Sequence, residues 1–96
     1  MTGELPKGTY PKIEEKLLAE GFDRVYAWHD DPGQHYPPHS HKESVCLVVC
    51  KGSMDFEMDG VRQTLLLGST MHVPSGVLHA STAGKEGCDF VEGEKL

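Results

Sequence analysis

The stretch GQHYPPHSHKES (residues 33–44) decides how this chain is read, together with HVPSGVLHAS (residues 72–81) further along. These two windows hold five of the six histidines of a 96-residue chain, and His39 and His41 stand one residue apart. On an extended strand that spacing aims both imidazoles at one face, about 6.6 Å apart. Each could then bring a nitrogen to ~2.1 Å from one transition-metal ion. An HxH pair alone is a weak signal, so its surroundings carry the argument.

Those surroundings read as β structure. SVCLVVCKG is rich in β-branched residues and too short for a helix, which predicts a strand that Gly52 ends. SMDFEM and VRQTLLL flank Asp59-Gly60, a two-residue hairpin turn. STMHV, VLHAST and CDFVEG follow as further short strands, separated by Pro74-Ser75-Gly76 and by a loop through Gly84 and Gly87. Upstream, FDRVYAWH predicts a strand carrying Phe22, Tyr26 and Trp28 on one side, ended by the turn Asp30-Asp31-Pro32-Gly33. YPKIEEKLLAEGF predicts a short helix with Pro11 in its first turn, an apolar stripe of Ile13, Leu17 and Leu18, and Gly21 as its stop. Six or seven short strands spaced by turns predict an all-β sandwich or barrel. The division that follows is an N-terminal segment with the helix over residues 1–21 and a barrel over 22–96.

Composition narrows the function. A net charge of −6 with nine unclustered Lys and Arg gives no basic stripe for phosphates, so nucleic acid is not an expected partner. No apolar run reaches the ~18 residues that span a bilayer, and MTGELPKGTY lacks the features of a secretory signal, so the expected location is cytoplasmic and away from membranes. Cys46, Cys50 and Cys88 cannot all pair within the chain and are expected to be buried thiols.

The spacing of the two windows then gains meaning. The first runs Gly33, five residues, His39, one residue, His41, and eleven positions later Gly52. The second runs Gly68, five residues, Pro74, one residue, Gly76, two residues, His79, with fifteen residues between the windows. This pattern resembles the paired motifs of the cupin superfamily, in its small single-domain form, over roughly residues 25–92. The resemblance implies a double-stranded β-helix, a jelly-roll barrel, holding one divalent transition metal ion (zinc, nickel, iron or manganese) on His39, His41 and His79. It also implies a homodimer, for which Phe22, Tyr26 and Trp28 are the expected covered surface.

Two departures stand out. Where the usual first motif carries a glutamate this chain has Val45, and where the second ends in asparagine it has Ala83. Glu43, Cys46 or water is left to complete the metal shell. A site without the glutamate is one charge more positive, which favours an anionic ligand. The three-histidine set resembles that of thiol dioxygenases, although no arginine stands in either motif to clamp a carboxylate. The remaining groups are less informative: His29 and His35 are expected at the surface, Tyr36 near the cavity mouth, and the facing of His72 is open. The expected function is that of a metal-dependent enzyme of dioxygenase, isomerase or lyase type acting on a small polar or anionic metabolite, or a metallo-cupin that binds or senses a small molecule without turnover.

Overall fold

A computed structural model describes residues 1–96. The elements are β1 (Gly3–Glu4), α1 (Pro11–Ala19), β2 (Arg24–Asp30), β3 (His35–His39), β4 (Ser44–Met58), β5 (Val61–Leu65), β6 (Thr70–Val73) and β7 (His79–Lys95). All strand pairs are antiparallel. The first half of β4 and the second half of β7 form one layer with β1, β2 and β6; the second half of β4 and the first half of β7 form the other with β3 and β5. Two long strands that pass from layer to layer make this a double-stranded β-helix, as expected.

The difference from the expected pattern lies in how those strands are made. Gly52 does not end its strand: β4 runs for 15 residues through it. Gly84 and Gly87 likewise lie inside the 17-residue β7, where they bound a four-residue bulge without Cα partners at the place of the expected loop. The register shifts between Val49 and Lys51 and again between Gly52 and Met54; at the second shift Ser53 alone stands opposite residues 84–87 of β7, so the strands bend there around a bulge that interrupts the ladder. Gly52 has a φ of +72°, and a Cβ on it would lie 2.1 Å from the carbonyl oxygen of Gly87. Only a residue without a side chain lets the two backbones cross this closely. The Asp59-Gly60 hairpin forms as read, with positive φ at both positions (53° and 75°).

Period-2 alternation separates two apolar layers. Val45, Leu47 and Val49 point into the barrel with Met54, Phe56, Met71, Val73 and Phe90. Cys46 and Val48 point the other way, joining Leu17, Phe22, Ala27 and Val91 beneath the helix. The helix covers this outer face with Leu17, whereas Leu18 is half exposed and drops out of the expected stripe. The buried carboxylate of Glu14 accepts the backbone N–H groups of Gly8 and Tyr10, both at 2.9 Å, which satisfies donors at the helix entrance. Phe22 also departs from its expected side. It precedes β2 and packs on Gly93, whose Cβ would come within 2.8 Å of the ring, while Tyr26 and Trp28 face the interior. Of the three aromatics expected on a dimer surface, Phe22 is buried under the helix, while Tyr26 and Trp28 are half-buried at the cavity wall.

The crossing gives a direct test. Gly52→Ala should lower stability by roughly 3 kcal/mol, combining left-handed backbone strain with an unavoidable clash. Gly60→Ala, at a φ of +75° but with nothing within 4 Å, should cost only about 1 kcal/mol. Urea midpoints of the two variants against wild type decide this, and equal shifts would show that the crossing is not the constraint.

Candidate metal centre

The three histidines converge at one end of a single layer. His39 is the last residue of β3 and pairs with His79, the first of β7. His41 lies beyond the end of β3, so the pair is not carried by one straight strand as expected. Its loop is pinned by the 74–78 turn: Gly76 N–H donates to the carbonyl of His41 (2.8 Å), and Ser75 Oγ donates to that of Lys42 (2.6 Å). The ring centroids lie 4.9 Å apart for His39 and His41, 4.3 Å for His39 and His79, and 5.0 Å for His41 and His79. One nitrogen from each falls within 4.8 Å of the other two. Nitrogens bound at ~2.1 Å in a tetrahedral centre stand about 3.4 Å apart, so small side-chain rotations would close the set around one ion.

The hydrogen bonds fit that use. Nδ1 of His39 lies 2.7 Å from the carbonyl oxygen of Pro37, and Nδ1 of His79 lies 3.0 Å from that of Val77. A carbonyl only accepts, so each Nδ1 carries the proton and each Nε2 keeps a free lone pair, as a metal ligand requires. Burial lowers the pKa of His79, and the neighbouring His39 and His41 push it the same way. The Phe56 ring stacks on it at 5.7 Å. A buried, neutral, oriented imidazole fits a divalent transition metal.

The open alternatives for a fourth ligand resolve by position. Cys46 is 1% exposed in the layer under the helix, on the other side of β4 from the cavity. Glu43 does not share the ligand cluster. All three cysteines are free thiols, and burial pushes Cys88 up to about 12 and raises Cys46 and Cys50, which makes them poor thiolates. His72 is exposed and faces away from the barrel interior. His35 is exposed as expected, bonded to Thr82 Oγ1 at 2.8 Å. His29 is not a free surface residue: it sits between Asp89 (2.6 Å) and Asp31 (3.2 Å).

In front of the histidines lies a cavity of about 260 Å³. Tyr26, Trp28, Tyr36, Phe56 and Phe90 form much of its wall, and Glu92 is the one carboxylate that lines it. The Tyr26 hydroxyl donates to Glu92 Oε2. Burial is the main reason the Glu92 carboxyl is pushed up to about 7; the Tyr26 hydrogen bond opposes this and Glu94 adds to it. Behind the wall, Asp30 is 1% exposed and accepts from Trp28 Nε1 (2.8 Å) and from the Tyr36 hydroxyl (2.7 Å), which fixes both rings. Burial raises the pKa of Asp30 against these two hydrogen bonds. Tyr36 thus reaches the cavity as expected, but its hydroxyl donates to Asp30. Neither Glu92 nor Asp30 stands out from spacing. The available signal for Glu92 was parity, since Cys88, Phe90 and Glu92 alternate inward along one strand.

The sequence model of the cupin domain matches residues 26–92. The chain belongs to the cupin family. No curated protein sequence matches this cupin significantly. Among solved structures it is similar to an RmlC-like cupin from Shewanella frigidimarina (24% identity, TM-score 0.67, covering 75% of this chain and 65% of that one). It is also similar to the DMSP lyase DddQ of Ruegeria pomeroyi (25%, 0.67, 74% and 37%) and to oxalate decarboxylase of Bacillus subtilis (24%, 0.69, 74% and 20%). It therefore spans a little under two thirds of the Shewanella protein and smaller shares of the two enzymes. These likenesses establish the fold, and no helix is long and apolar enough to cross a membrane.

Glu92 gives the cavity a pH signature. Its folded pKa of about 7 lies above the ordinary 4.5, so the folded state holds the proton more tightly than the unfolded chain. The corresponding stability is present in full below pH ~4.5 and is lost as pH rises through about 7. Urea unfolding between pH 5 and 8 should show a decline that Glu92→Gln reduces by on the order of 2 kcal/mol. An unchanged slope in the variant would mean that another group carries the titration.

Proposed function

We propose that His39, His41 and His79 hold one divalent transition metal ion, and that this cupin is a metal-dependent enzyme of lyase, isomerase or dioxygenase type acting on a small polar or anionic metabolite. The observation that carries the reading is the convergence of three imidazoles, two with Nδ1 fixed on carbonyl oxygens, at one side of a walled cavity. A metal held by three neutral ligands supplies a Lewis acid with open positions for an anionic oxygen or a water. The cavity volume, about 260 Å³, is below the ~300–1,000 Å³ of drug-sized sites and sets a small substrate.

The chain's own residues supply the rest. Glu92, with its carboxyl near neutrality and the Tyr26 hydroxyl on one oxygen, is suited to take or give a proton at a group held in the cavity. The aromatic wall reduces water around that transfer, and Asp30 keeps Trp28 and Tyr36 in place. A lyase and a decarboxylase among the similar folds fit chemistry that breaks bonds in small molecules.

The test is elemental analysis of protein purified without an affinity tag, for wild type and for His39→Ala/His79→Ala. Near-stoichiometric metal in wild type and less than about a tenth of that in the variant are expected. Equal content in both would overturn the site. Metal-dependent turnover that His79→Ala abolishes would mark an enzyme, whereas ligand-induced thermal stabilisation without turnover would mark a binding module.

A further inference from the structure

The cavity has two chemically different ends. One is the histidine cluster. The other is built from the rings of Tyr26, Trp28 and Tyr36 together with the Glu92 carboxyl, and no lysine or arginine lines the cavity anywhere. An aromatic face carries negative quadrupolar charge and attracts a cation within about 6 Å. Tyr26 and Trp28 meet edge to face, with centroids 6.5 Å apart and planes at 75°, so they form a corner and not a flat stack. Asp30 accepts from both the Trp28 indole and the Tyr36 hydroxyl, which places a further acidic group directly behind two of the rings. The single nearby cation of the chain is Arg24, 5.1 Å from the Tyr26 ring; it is 68% exposed, 4.0 Å from Glu94, and does not line the cavity.

We propose that the ligand of this cavity is a compact zwitterion whose carboxylate goes to the metal end and whose ammonium-type cation goes into the corner formed by Tyr26, Trp28, Tyr36 and Glu92. The proposal rests on the metal reading given above, which supplies the anchor for the carboxylate. Charge favours this choice over a simple anion. A dianion would place its second charge against a wall with one carboxyl, electron-rich rings and no cation, whereas an ammonium group finds complementary surface there.

The state of Glu92 supports the same choice. Around it stand the Tyr26 hydroxyl and Arg24 from β2, Glu94 from its own strand, and the apolar Leu47 across from it on β4. Burial and Glu94 hold the carboxyl at about 7 despite the Tyr26 hydrogen bond. A ligand cation would stabilise the ionised form, so binding at pH 7 should release a proton to the buffer.

The test uses two probes that differ in one atom. Trimethylammonioacetate (betaine) and 3,3-dimethylbutanoate share shape and carboxylate, but only the first carries a cation; 3-(trimethylammonio)propanoate and 4,4-dimethylpentanoate form a second pair one carbon longer. Titration calorimetry on the zinc-loaded protein should give at least about tenfold tighter binding for the cationic member of one pair, or about 1.4 kcal/mol. It should also show buffer-dependent heats of proton release for that member alone. In Glu92→Gln the preference should collapse toward one, with the affinity of the tert-butyl carboxylate changed less than about twofold. Trp28 is the only tryptophan of the chain, so its fluorescence reports occupancy of the corner in wild type whether or not the variant folds. It should respond to the trimethylammonium member at about tenfold lower concentration than to its tert-butyl partner. Equal affinities within both pairs, or no binding of either member, would overturn the proposal. Cation preference that persists unchanged in metal-free protein and in His39→Ala/His79→Ala would leave the corner standing and remove the metal anchor, so the two readings fail separately.

Discussion

The crossing of β4 and β7 at Gly52 and Gly87 is the constraint on which the rest of the molecule depends. Both strands leave one layer there and enter the other, and the gap between the backbones admits no side chain on Gly52. On β7 this places His79 in one layer and Glu92 in the other, thirteen positions further along, and both line the same cavity. Short strands joined by loops could bring the same residues together only by fixing more backbone in irregular conformations, at ~1–2 kcal/mol of entropy per residue. A continuous strand that bends fixes them through its ladder of hydrogen bonds. The relative placement of His79 and Glu92 is thus a property of the single strand β7.

The histidines are then set by short-range bonds. His39 and His79 are register partners, which brings their rings to 4.3 Å before any ion is considered. Each spends its Nδ1 proton on a carbonyl two residues upstream, so the tautomer follows from backbone geometry. Three imidazoles packed this closely repel one another when charged, and burial adds to the cost for His79. The Nδ1 bonds of His39 and His79 leave Nε2 as the nitrogen free to bind a metal. With valine in place of the usual glutamate, the cluster itself adds no negative charge, and the acidity of the cavity moves to Glu92 on the far wall.

Much of this was legible in the sequence, but unevenly. The alternation and turns indicated a β sandwich or barrel and the spacing an HxH pair; the jelly-roll topology and the addition of His79 came from the resemblance of the paired motifs to those of cupins. The alternation in SVCLVVC puts Val45 and Cys46 on opposite faces of β4, and the structure places Cys46 under the helix. What was misread was continuity. A glycine inside a β-rich run signals equally a strand end and a bend, and only the partner strand decides which; at Gly52, Gly84 and Gly87 it is a bend. Phe22 was placed with Tyr26 and Trp28 by parity, which fails because the strand begins after it. Glu92 and Asp30 escaped notice since each looks like an ordinary surface carboxylate until its burial is known.

Those two carboxylates divide the work of holding the cavity. Asp30 is committed: buried, it accepts from an indole and a phenol, and removing it would leave the Tyr36 hydroxyl without its acceptor and Trp28 Nε1 with only the Tyr36 oxygen at 3.1 Å. Glu92 is less committed, since one oxygen receives the Tyr26 hydroxyl while its carboxyl lines the open space. A group kept near its titration point by burial responds to small changes of charge beside it. That is a poor arrangement for stability alone, because an apolar side chain opposite Leu47 would pack there without a titrating proton. Its presence at an inward position, on the same cavity as the three histidines, is a cost carried for what enters the cavity.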